Sequence, residues 1–246
     1  MKQPNRSSRI LICTAAVLLM IVIGCWVYLA DYYHADTKAI AAFSSDTTIV
    51  PQQINRAATA YIPEDAAAGF LFYPGGKVEH TAYEPLMTAC AEQGILCVLF
   101  KMPGNLAVLG KNAADNIFSL FPDIENWYIG GHSLGGSMAA SYASENPGKL
   151  KGLILLAAYS TEDLSSTSLN VLSVYGSEDR ILNAENYKKY RTNLPENFTE
   201  IVTEGGCHAG FGMYGHQKGD GTPRISADTQ IQIAANEISE FLLGSK

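Results

Sequence analysis

The chain has 246 residues, 47% hydrophobic and 17% charged, with 22 glycines and 10 prolines. That suffices for one domain with a full core and excludes a disordered chain, a coiled coil, a collagen-like repeat and a disulfide miniprotein. A formal net charge of −7 has the wrong sign for holding a phosphate backbone, which argues against nucleic acid as a partner.

Lys2, Arg6 and Arg9 open the chain without an acid, and residues 10–30 form an uncharged apolar run ending near Trp26 and Tyr28. At 1.5 Å per residue such a run spans roughly 30 Å, the thickness of a bilayer's hydrocarbon core. It predicts a transmembrane signal anchor, with residues 1–9 cytoplasmic and an extracytoplasmic domain to follow. Two alternatives remain: cleavage as a signal peptide, and a lipoprotein signal at Val22-Ile23-Gly24-Cys25. The run is long for the first, and its apolar continuation after Cys25 is unusual for the second.

Residues 31–46 are polar and read as a stalk or amphipathic lead-in; the domain is expected over 47–246. There, short apolar runs alternate with helical patterns, the pattern of an α/β fold with a mostly parallel sheet and helices on both faces. Strands are predicted at Thr48–Val50, Ala57–Ile62, Gly69–Tyr73, Ile95–Phe100, Trp127–Gly130, Leu150–Ala157, Asn170–Tyr175 and Thr199–Thr203. Helices are predicted at Tyr83–Gln93, Ala113–Leu120, Leu134–Ser144, Ala184–Arg191 and Ser226–Leu243.

Gly131-His132-Ser133-Leu134-Gly135 lies between the strand Trp127-Tyr128-Ile129 and a small-residue helix. This is G-x-S-x-G in its strand-turn-helix setting, where a serine on a sharp turn projects its hydroxyl and the flanking glycines admit close backbone approach. Ser133 is the nucleophile candidate.

With this motif, Phe72-Tyr73-Pro74-Gly75-Gly76-Lys77, Lys101-Met102-Pro103-Gly104-Asn105-Leu106-Ala107 and Gly206-Cys207-His208-Ala209-Gly210-Phe211-Gly212 resemble a bacterial group of small, lidless α/β-hydrolases, over roughly residues 45–245. The resemblance implies the α/β-hydrolase fold and its catalytic apparatus but names no substrate. It places the acid in Gly176-Ser177-Glu178-Asp179-Arg180, with Asp179 preferred over Glu178, and over Glu162 or Asp163 after the preceding strand. It also implies an oxyanion loop at Pro74-Gly75-Gly76-Lys77, with the Gly76 amide as first choice and Lys77 as second. The fold's order of serine, acid, histidine leaves His208 and His216 as bases; His208, on a short turn after the last strand, is preferred. The Leu134 amide is the other expected oxyanion donor.

Cys207, His208, His216 and Asp220 match none of the recognised zinc spacings, so no metal or other cofactor is expected. Cys90 and Cys97 could bridge, though two buried thiols are the preferred reading, and Asn197-Phe198-Thr199 is a sequon meaningful only in a eukaryotic secretory host. Between Ser133 and Asp179 there is no room for a lid domain. The sum is a membrane-anchored extracytoplasmic serine hydrolase of carboxylic esters, with thioester or amide cleavage or acyl transfer as variants. Its partners would be a small-molecule or lipid-like acyl substrate and the membrane. The rival is a noncatalytic, membrane-tethered binding protein on the same fold.

Overall fold

The structure, a computed structural model, describes residues 6–244; the start of the basic segment, including Lys2, lies outside the described residues. The chain divides into two units, residues 1–32 and 33–246. In the first, helix α1 runs Arg6–Ala30, and within it Ile12–Ala30 has a mean hydropathy of 2.5, long and apolar enough to cross a membrane. Its large apolar side chains, Leu19, Ile23 and Trp26 among them, are exposed on a helix that is apolar all round.

The second unit carries one eight-stranded sheet. Its strands are β1 (Gln52–Asn55), β2 (Ala58–Tyr61), β3 (Ala68–Tyr73), β4 (Ile95–Phe100), β5 (Trp127–His132), β6 (Gly152–Leu156), β7 (Asn170–Gly176) and β8 (Thr199–Thr203). The order is β1-β2-β4-β3-β5-β6-β7-β8; β1, β2 and β4 pair antiparallel, and from β4 to β8 all pairs are parallel. β3, β4, β5 and β6 are buried along their whole length, which is why they read as unbroken apolar runs. Side chains alternate between two cores: Phe70 and Phe72 of β3 face one, Leu71 and Tyr73 the other. Helices α3 (Glu84–Ala91) and α6 (Ala227–Leu243) cover the first core, α4 (Leu134–Glu145) the second. Each Phe or Leu fully buried there contributes about 1.5–3 kcal/mol. No helix or strand interrupts the connection from β6 to β7, so no lid is evident.

From β3 the chain crosses to β4 on one side and then back to β5 on the other. The carboxyl ends of β3 and β5 therefore meet at a topological switch point, the crevice where open α/β sheets build their sites.

Three expectations need correction. The first strand is not Thr48–Val50 but β1, four residues on: Pro51 has no N–H to give a ladder, and the polar Gln52-Gln53-Ile54-Asn55 pairs only at the sheet edge. The segment Ala113–Leu120 is two 3₁₀ turns, Ala113–Asn116 and Phe118–Leu120, rather than an α-helix. Asn112, Asp115, Asn116 and Ser119 are poor interior helix residues, and Phe121-Pro122 closes the segment before a second full turn can form. The expected stalk, from Tyr33 on, is packed on the domain: α2 (Thr37–Phe43), capped by the Asp36 carboxylate, lays Ala39, Ile40 and Phe43 against the core. The remaining helix, α5, runs Ala184–Tyr190.

Candidate active site

Ser133 sits between β5 and α4 with φ 53° and ψ −122°, a conformation that costs a non-glycine residue on the order of 1–3 kcal/mol. Its N–H donates to Leu156 O at 2.9 Å, and its own carbonyl accepts from Ser137 N in α4. The flanking glycines allow this turn. A Cβ on Gly131 would strike the Tyr73 carbonyl, and one on Gly135 would strike the carbonyls of Tyr73 and Pro74. The elbow is thus wedged against the end of β3.

Asp179 follows β7 and His208 follows β8. The Asp179 Oδ2 accepts from His208 Nδ1 at 2.8 Å, and both side chains are almost fully buried. Asp179 Oδ1 accepts the N–H groups of Ile181 and Leu182, each at 2.8 Å, so the carboxylate is oriented from its own loop. Because the carboxylate only accepts, His208 donates from Nδ1, and in the neutral ring that tautomer makes Nε2 the acceptor. That Nε2 is buried and has no hydrogen-bond partner among the described residues. Ser133, Leu134 and His208 line one cleft of about 200 Å³, walled by Tyr159, Ile181 and Leu182.

Hydrogen bonding separates the two oxyanion candidates of the β3 loop. The Lys77 N–H is spent on Asn105 O at 2.8 Å and the Gly75 N–H on the Tyr83 hydroxyl at 3.1 Å. No hydrogen bond engages the Gly76 N–H or the Leu134 N–H among the described residues. The two are neighbours, since a Cβ on Gly76 would lie 2.8 Å from Leu134 Cδ2.

A sequence profile described as the alpha/beta hydrolase family matches residues 69–232. The chain belongs to this family. Two solved structures share its fold: a predicted CIB-like hydrolase from Thermoplasma acidophilum (13% identity, TM-score 0.60, covering 78% of this chain and 99% of that one), and a protein of Thermus thermophilus (16% identity, TM-score 0.57, 80% and 99%). A comparison with curated proteins finds no match.

Glu162, another candidate acid of this alpha/beta hydrolase, is exposed on the loop after β6, and two more are engaged elsewhere. Glu178 pairs with Arg224 at 2.6 Å, and exposed Asp163 caps its own turn through Ser165. His216 is exposed on the far side of the His208 loop, where it lines a separate cavity.

Two residues that hold the His208 loop were missed in the sequence. Gln230 of α6 clamps the Cys207 backbone on both sides: its Oε1 accepts Cys207 N at 3.0 Å and its Nε2 donates to Cys207 O at 2.8 Å. Asp220, considered above only as a metal ligand, instead ties two loops together: Oδ2 accepts Ala209 N at 2.9 Å, and Oδ1 accepts Arg180 N at 3.3 Å and Gly221 N at 2.8 Å. Burial works to raise its pKa, but these backbone donors outweigh burial and hold the carboxyl below its ordinary range. No group of three or more metal-type side chains converges among the described residues. A polar side chain between two glycines, or on a helix face, gives no signal in one sequence that it bonds across loops.

Behind His208 lies a second histidine. The His132 ring is 4.5 Å from that of His208, and its Nδ1 is 2.8 Å from the Tyr83 hydroxyl. Burial, with the neighbouring His208 next in weight, holds its pKa well below the ordinary 6.5, so His132 is neutral at pH 7. Cys90 and Cys97 are buried free thiols, and burial pushes the Cys97 thiol well up.

Proposed function

We propose that this family member is a serine hydrolase of carboxylic esters, held at the outer face of a membrane by α1 with its N-terminus cytoplasmic. The observation that carries the reading is the buried Asp179–His208 pair, whose unpartnered Nε2 lines the same cleft as the strained Ser133.

In this reading His208 Nε2 takes the Ser133 proton as Oγ bonds to the ester carbon, and the carbonyl π pair moves onto oxygen. The N–H groups of Gly76 and Leu134 hold that oxyanion, at the start of α4 where the helix dipole adds positive potential. As the tetrahedral intermediate collapses, the C–O bond breaks and the alcohol leaves with the proton from His208. Water, deprotonated by His208, then attacks the acyl-enzyme, releasing the acid and restoring the serine. Asp179 orients His208 and stabilises its imidazolium form. A cleft of about 200 Å³ suits a modest acyl group.

The test is hydrolysis of p-nitrophenyl esters of increasing chain length by the full chain in detergent, beside Ser133→Ala, with labelling by a fluorophosphonate. Turnover and labelling that both vanish in Ser133→Ala are expected. A folded chain that neither turns over nor labels would replace this reading with that of a tethered binding protein. Resistance of the full chain to alkaline extraction from membranes is expected of the anchor; release into the supernatant would overturn it.

A further inference from the structure

The first ordered step of the chain beyond α1 lands on the oxyanion loop. Tyr33 N–H donates to Lys77 O at 2.8 Å, and Glu79 N–H donates to Tyr33 O at 2.9 Å, forming a parallel bridge between Tyr33 and Val78. The Glu79 carboxylate accepts Ala35 N at 3.0 Å, and the Met213 carbonyl accepts Asp36 N at 2.8 Å. The Tyr33 hydroxyl accepts Lys218 N at 3.1 Å, and its ring packs 5.7 Å from that of Tyr214. This anchorage joins the loop carrying Gly76 to the segment that follows His208.

Tyr33 lies only three residue steps beyond Ala30, the last of the apolar helix. At no more than about 3.6 Å per residue they reach about 11 Å, a limit set by covalent length whatever the orientation of the body. The headgroup layer of a bilayer adds only about 5–8 Å to each side of the hydrocarbon core. Next to the same loop, Asn105 O accepts Lys77 N, and the turn that follows exposes Val108 and Leu109, 55% and 58% accessible, although both are large and apolar. Two adjacent apolar side chains left in water beside a site of this kind suit insertion at the boundary between headgroups and acyl chains.

We infer that the substrate is an ester of a membrane-embedded amphiphile, its ester group at headgroup level, and that Val108 and Leu109 rest on the lipid surface beside the cleft. The inference rests on the anchored-hydrolase reading above and adds to it the substrate class and the means of presentation. The short tether keeps Tyr33, and the oxyanion loop bonded to it, close to the lipid surface where such esters lie, and a lidless cleft accepts them without a closing step.

The test uses the full chain in phosphatidylcholine vesicles with two fluorogenic esters of the same acyl group, one bilayer-anchored and one water-soluble. A flexible Gly/Ser insertion of about 20 residues between Asp31 and Tyr32 adds a root-mean-square reach of about 25 Å. It is expected to lower hydrolysis of the anchored ester at least tenfold and leave the soluble ester unchanged. The double variant Val108→Ser, Leu109→Ser, exposed and so without effect on the core, is expected to do the same to a smaller degree. Anchored-ester hydrolysis unaltered in both variants, or absent from the parent chain while the soluble ester is cleaved, would overturn the inference alone. Failure of the parent chain on both esters would overturn the hydrolase reading with it.

Discussion

The two halves of the candidate site are built in different ways. The serine half is held by main chain: Ser133 keeps its positive φ because Gly131 and Gly135 press against the end of β3 and its amide bonds Leu156 O. The acid and base half is held by side chains that arrive from elsewhere, Gln230 from α6 and Asp220 from the loop before it. A strained turn is fixed by close packing that admits no rotation, whereas a loop at a strand end is fixed by hydrogen bonds that can be removed one at a time. The first half fails all at once, and the second should fail by degrees.

The largest expected effect lies in the second half and is chemical. Asp179→Asn keeps the shape but offers His208 an amide that favours the wrong tautomer, so kcat on a p-nitrophenyl ester is expected to fall on the order of 10³- to 10⁴-fold with the melting temperature little changed. Turnover near that of the parent chain would move the acid elsewhere. The largest effect on stability belongs to the first half. Gly135→Ala puts a Cβ onto two backbone carbonyls of the β3 end, atoms that cannot rotate aside. A loss on the order of 3 kcal/mol or failure to fold is expected in urea denaturation, and a loss under 1 kcal/mol would show that the elbow can shift after all.

Gln230→Leu probes the graded half. It strands the buried N–H and C=O of Cys207, each at about 1–3 kcal/mol, and frees the residue next to His208. Stability is expected to drop by about 2–4 kcal/mol, with kcat falling more than KM rises, because the base and not the acyl pocket is displaced. A change confined to KM would mean that the His208 loop is held without the clamp.

The same contrast governs what was legible in the sequence. The elbow is local: five consecutive residues between an apolar strand and a small-residue helix carry it, and β3 to β6 announce themselves as apolar runs because both faces are covered. Asp179 and His208 follow from strand ends and from the family resemblance. Gln230 is a polar residue on an amphipathic helix, and nothing in its neighbours tells that its amide fills the space beside Gly206 and Gly210. The edge strand β1 was missed for the opposite reason: it is polar and mostly exposed, and only pairing with β2 makes it a strand. The stretch after Tyr33 looked like a stalk because its bonds to Lys77, Glu79 and Met213 are backbone bonds, to which composition is blind.

The smallest effect sharpens the comparison at the point where the halves touch. His132 belongs to the elbow, yet its ring lies against His208, and its Nδ1 meets the Tyr83 hydroxyl that also receives the Gly75 N–H. Its pKa is held well below 6.5 in the folded chain, whereas in the unfolded chain it returns to that value. Between the two values the unfolded state binds a proton that the folded state refuses. Stability is therefore complete above pH 6.5 and falls with pH below it, at up to about 1.4 kcal/mol per pH unit. Asp220 does not contribute in this window, because its depressed value makes its share of stability disappear only as pH falls through the carboxylate range. His80, also lowered by burial, acts in the same direction but is present in both chains compared. His132→Gln keeps an acceptor for the Tyr83 hydroxyl and removes the titration. Urea unfolding at pH 7.5 and 5.5 is expected to show a smaller loss of stability in the variant than in the parent. Equal losses in the two would mean that His132 takes up its proton in the folded protein, and that the elbow yields to solvent where it meets the His208 loop.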